Sequence, residues 1–114
     1  MSDNKEFLKE KQEEVINKII NILNLENKQK YSLYELDHDE KIQNQIIELL
    51  PEIQKWFSLN VLVASRRRRL VRLPWTIILN AVLNTTFTIE IKDEKINIME
   101  KKLVIGPVYT FERK

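Results

Sequence analysis

Apolar residues recur at three- and four-residue steps near the start of the chain: Leu8, Val15, Ile16, Ile19, Ile20, Ile22 and Leu23. Lys9, Lys11, Glu13, Glu14 and Lys18 fill the other side. This spacing predicts an amphipathic helix over residues 4–24. Asp3 and Glu6 stand at capping-box-like spacing at its start. The apolar stripe is broad, so the helix needs a core or a partner to cover it. Residues 25–37 predict a connector. Asn24, Asn27, Lys28, Gln29 and Lys30 favour a loop, and Tyr31, Leu33, Tyr34 and Leu36 form a short apolar patch that docks on the core.

Helical spacing resumes after Asp37–Glu40, a second cap-like cluster. Ile42, Ile46, Leu49, Leu50, Ile53, Trp56 and Phe57 follow at three- and four-residue steps. Pro51 interrupts them, and proline inside a helix removes a hydrogen bond and clashes with the preceding turn. The expectation is therefore two helices, 39–50 and 51–58, with Pro51 in a first turn. One kinked helix is the alternative. Leu59-Asn-Val-Leu-Val-Ala suits a short buried strand over 59–64. Pro74 then opens a helix over 74–84 whose Trp75, Ile78, Leu79, Val82 and Leu83 face inward.

The C-terminal third changes period from 3.6 to two. Phe87, Ile89 and Ile91 alternate with Thr86, Thr88, Glu90 and Lys92. Asp93-Glu94 predicts a hairpin tip, Ile96 and Ile98 a second strand facing the same way as Ile89 and Ile91, and residues 102–111 a third strand. Gly106-Pro107 predicts a break or bulge in that third strand. The pattern gives one α+β domain over residues 1–114: three or four helices followed by a three-stranded antiparallel β-meander, winged-helix-like in outline. Residues 1–30 form the helix and connector, and 31–114 the core.

With 114 residues, 43% of them hydrophobic, the chain suits one domain with a real core. The absence of Cys excludes a disulfide framework, a thiolate zinc site and a Cys nucleophile. No apolar run approaches the roughly 20 residues that span a membrane. The polar, acidic N-terminus does not resemble a signal peptide. An intracellular setting without membrane attachment is expected.

Charge is unevenly divided. Residues 1–57 hold eight Lys and no Arg against twelve acids, a net −4, whereas residues 58–114 hold eleven Lys and Arg against five acids, a net +6. All five basic residues between Ser58 and Trp75 are Arg: Arg66, Arg67, Arg68, Arg69 and Arg72. No acid lies among them. Guanidinium groups present a planar fork of donors suited to phosphate and to guanine edges. Such a run predicts nucleic-acid contact through phosphates, with salt-sensitive affinity. The bland reading is a solvated loop paired with the acidic first half.

Thr76, Asn80 and Asn84 lie four residues apart on the stripe opposite the apolar one. They are uncharged and hydrogen-bonding, and Asn can address adenine in the major groove. Helix, hairpin and preceding Arg run together suggest a helix-turn-helix with a β-wing. Against this, polar residues must occupy the outer side of any amphipathic helix. Trp75 reads as core rather than as a stacking platform. His38, the only histidine, sits among Asp37, Asp39 and Glu40, but adjacent helical positions do not converge on one ion. No catalytic, metal or cofactor site is predicted, and no enzyme.

Three stretches carry a resemblance: Tyr31-Ser-Leu-Tyr-Glu-Leu-Asp, Glu48-Leu-Leu-Pro-Glu-Ile-Gln-Lys-Trp-Phe and Arg72-Leu-Pro-Trp. They are similar to small, largely uncharacterised domains encoded by large double-stranded DNA viruses. Those domains usually carry a basic residue directly before Pro-Trp, where Leu73 stands here. The resemblance implies a viral origin and work around viral DNA, in host cytoplasm, host nucleus or virion. It implies no catalytic residue. The expected function is non-enzymatic nucleic-acid binding, with DNA as the expected partner. The alternative is a structural or adaptor module, with residues 4–24 supplying a face for homo-oligomers and the Arg segment meeting an acidic protein.

Overall fold

A computed structural model describes residues 2–59, 75–97 and 102–114. Among these residues, four helices, α1 (Ser2–Leu23), α2 (Leu33–His38), α3 (Glu40–Phe57) and α4 (Trp75–Leu83), accompany three strands, β1 (Lys30–Ser32), β2 (Phe87–Asn97) and β3 (Leu103–Arg113). The strands form one antiparallel sheet in the order β1-β3-β2. The chain is thus α+β with a three-stranded antiparallel sheet. Its winged-helix character is one of outline: α4 leads through a short turn into the β2–β3 hairpin.

The end of α1 follows from one residue in the left-handed region. Asn24 has φ 50°, a conformation Asn tolerates better than most side chains. The amide of Leu25 bonds the Ile20 carbonyl at 3.0 Å and that of Asn24 the Asn21 carbonyl at 3.2 Å. These are the two bonds of a Schellman motif. They turn the chain so that Leu25 drops into the core. The buried Tyr31 then donates its hydroxyl to the Leu23 carbonyl, one of the acceptors a helix end leaves without an intrahelical partner.

Tyr31 also provides a stability prediction. Its pKa is raised above 10, chiefly because burial disfavours the phenolate; nearby Lys28 opposes the rise. A raised folded-state pKa contributes stability that is fully present below the unfolded value. That stability is lost as pH climbs through the folded value. Tyr31→Phe leaves the Leu23 carbonyl without its partner and costs about 1–3 kcal/mol at neutral pH. Urea melts between neutral pH and about pH 11 check both effects, because the Phe variant lacks this part of the alkaline decline.

Helix starts are set by side-chain caps. Ser32 ends β1 and caps α2, its Oγ accepting from the Glu35 amide at 3.0 Å. Asp39 caps α3 through Oδ1 to the Ile42 amide at 3.1 Å, as the Asp37–Glu40 cluster predicted. Helix α3 runs unbroken through Pro51, so the two-helix expectation gives way to a single helix. Pro51 lies on its exposed side, while Leu49, Leu50 and Ile53 fill the core on the other.

Helices α1 and α3 pack antiparallel. Lys18 pairs with Glu52 at 2.9 Å, Gln12 donates to the Trp56 carbonyl at 2.9 Å, and Phe7 meets the Trp56 ring edge-on at 5.7 Å. Val15, Ile16, Ile19, Ile20 and Leu23 of α1 join Ile46, Leu50 and Ile53 of α3 in one core cluster. Helix α4 completes it, with five of its nine residues buried. The sheet closes the core with Tyr31, Phe87, Tyr109 and Phe111.

The hairpin differs from the expected meander. Asp93 pairs with Pro107 and Glu94 with Gly106, so the predicted tip and the predicted bulge both lie inside continuous strands. The third strand is β1, drawn from the connector, which pairs Lys30–Ser32 with Thr110–Val108. Because strand residues alternate faces, Ile96 points away from the side shared by Ile89 and Ile91. It instead lies 3.5 Å from the place a Cβ on Gly106 would occupy. Ion pair Lys30–Glu94 spans β3 at 2.5 Å on that outer side, where Val108 is buried. Pairing of β1 stops at Val108, one residue short of Pro107, which has no amide to offer. The strand expected at 59–64, the Pro74 helix start, Asp3 of the capping box and Ile98 fall outside the described backbone or side chains.

Candidate nucleic-acid interface

The Arg residues 66, 67, 68, 69 and 72 lie outside the described residues, but both ends of their segment are fixed. Helix α3 stops at Ser58, which adopts the left-handed φ of 52°, and Leu59 packs against the core. On the far side the chain re-enters at Trp75, 1% exposed, whose indole Nε1 donates to Asp37 Oδ1 at 2.8 Å. The first residue of α4 is therefore tied both to the core and to α2.

Thr76 and Asn80 are exposed on α4, one turn apart. Thr76 is already engaged: its hydroxyl lies 2.9 Å from that of buried Tyr109 on β3. Asn84 is exposed in the turn after α4 rather than on the helix. The structure thus leaves Asn80 and Asn84 outward-facing and joins Thr76 to the sheet. Trp75 is core, as expected; Trp56 is only half-buried, under the first turns of α1, with Lys55 Nζ 4.7 Å from its ring.

Within the acidic first half, residues 35–52 offer six carboxylates as intramolecular partners for the Arg run. Four already carry partners: Glu35 pairs with Lys28 at 2.5 Å, Asp37 accepts from Trp75, Asp39 caps α3, and Glu52 pairs with Lys18. The apolar stripe of residues 4–24, expected to serve self-association, is buried in the chain's own core from Val15 onward. Phe7 and Leu8 stay exposed at its start.

His38 stacks on Tyr34, ring centroids 4.0 Å apart, and its Nδ1 lies 2.9 Å from the Tyr34 carbonyl. Both border an open cleft of 630 Å³ between α2, the start of α3 and Ile96 of β2. The neighbouring carboxylates Glu35 and Asp39 are those already paired and capping. No group of three or more His, Cys, Asp or Glu among the described residues could hold a metal ion. No helix among them is long and apolar enough to cross a membrane.

No protein family, curated protein or solved structure matches the chain.

Proposed function

We propose that this is a non-enzymatic nucleic-acid-binding protein, contacting DNA phosphates through Arg66, Arg67, Arg68, Arg69 and Arg72. The observation that carries the reading is the run itself: five Arg within seven residues and no acid among them. Support comes from the surroundings. Most of the acids between 35 and 52 already serve other groups. The residues on either side of the segment, Leu59 and Trp75, both pack on the core. Asn80, exposed on α4, and Asn84, exposed in the turn that follows it, are the side chains for any base contact, with Thr76 positioned by Tyr109. The resemblance to domains of large double-stranded DNA viruses fits a viral protein working near DNA.

Phosphate contacts supply affinity without sequence preference, and base contacts supply discrimination. The test is fluorescence anisotropy on labelled duplexes of unrelated sequence at about 50 mM salt. All should bind alike. Asn80→Ala is expected to leave affinity for an arbitrary duplex unchanged. A uniform loss would place Asn80 among the phosphate contacts instead. Absence of binding by the folded chain would give the lead to the adaptor reading, with the Arg run meeting an acidic protein surface.

A further inference from the structure

The β2–β3 hairpin outruns the core that covers its base. Phe87, Tyr109 and Phe111 are buried on its inner side, but that same side continues outward uncovered. The register puts Ile91, Leu103 and Ile105 on it, and they are 41%, 68% and 69% exposed. Such apolar area is unusual on a surface that meets only water. Pro107 lies on the same side, opposite Asp93. The bond between Thr76 and Tyr109 marks where α4 ends the covered part, and the next helix residue, Ile77, is 55% exposed.

The charges identify the occupant. Residues 88–108 hold four Lys and four acids, so the hairpin offers no net attraction to a polyanion or to an acidic or basic protein. Arg113 lies at the covered base of the inner side, over the Phe87 ring, and the uncovered part carries one charge of each sign, Asp93 and Lys95, two positions apart on β2. That arrangement is complementary to itself. A two-fold axis in the contact plane, crossing the strands beside Glu94, sets Asp93 of one copy over Lys95 of the other, twice. The same axis sets Ile105 over Pro107 and Leu103 over Tyr109, the residue that Thr76 of α4 bonds. We propose that the inner side of the hairpin, centred on Ile105 and Leu103, is a self-association surface that pairs with the same surface of a second copy.

The inference is independent of nucleic-acid binding, and sedimentation equilibrium of the full chain tests it. A monomer–dimer equilibrium is expected. Ile105→Asp should raise the dimer dissociation constant at least about tenfold, as loss of one interface hot spot does. Its far-UV spectrum, and its melting at concentrations where the chain is monomeric, should be unchanged, because Ile105 lies outside the core. Asp93→Lys and Lys95→Asp should each weaken the dimer, and the double exchange should restore it to within about threefold of the original. A chain that sediments as a monomer at about 100 μM overturns the proposal. So does a dimer indifferent to Ile105→Asp but abolished by Phe7→Asp, which would place the contact on α1.

Discussion

Trp75→Ala is expected to destabilise the chain by about 3–5 kcal/mol, the range for removing a large aromatic from a core. The ring is buried at the junction of α4 with the helical layer, and truncation also leaves the Asp37 carboxylate without its indole donor. Trp75→Phe separates the two contributions. It keeps most of the apolar contact and loses the hydrogen bond, worth about 1–3 kcal/mol because its acceptor is charged. Trp56→Ala should cost less than Trp75→Ala, since Trp56 is less completely buried. Urea unfolding of the three variants checks the order. Equal losses at the two tryptophans would contradict it.

How far the sequence reveals this fold depends on whether each signal is local. Helix α1 spans Ser2–Leu23 against an expected 4–24, and α4 spans Trp75–Leu83 against 74–84. Both are read from side chains within a few turns of one another. Pro51 misleads because its local cost, about 3 kcal/mol in a helix interior, says nothing of what surrounds it. Leu49, Leu50 and Ile53 are buried on one continuous side, and that burial holds α3 together through the proline.

The hairpin shows the same limit in strands. Ile91 and Ile96 are five residues apart, an odd interval, so they share a face only if a turn intervenes. Placing the tip at Asp93-Glu94 follows from assuming that both isoleucines face one core. In the structure the strand continues, and Ile96 covers Gly106 on the other side. Nothing within the strand itself distinguishes these arrangements; the partner residues on β3 do. Strand β1 is three residues long and carries too little pattern to be seen without Thr110, Tyr109 and Val108 beside it. At the candidate site, the Arg run and the outward Asn80 and Asn84 are legible directly. The capture of Thr76 by Tyr109 joins residues 33 positions apart and is not.

The second large effect concerns binding. Replacing Arg67 and Arg69 together with Ala should lower the magnitude of the salt slope of DNA affinity by about two, following the roughly 0.9 per phosphate contact expected for a duplex. Because the contacts are to phosphates, all sequences should weaken alike. Guanidinium groups are almost never fully buried without a partner, so the melting temperature should hold, separating lost contacts from lost folding. A loss confined to one sequence would move these arginines from phosphate to base contacts.

Neutralisation of phosphates by the Arg run is measured by the affinity of the full chain for duplex DNA between about 50 and 200 mM salt. With three to five arginines engaged, log affinity should fall linearly with log salt at a slope of about −3 to −5. A slope near zero, or no detectable binding to DNA or RNA by the folded protein at about 50 mM salt, would contradict the account.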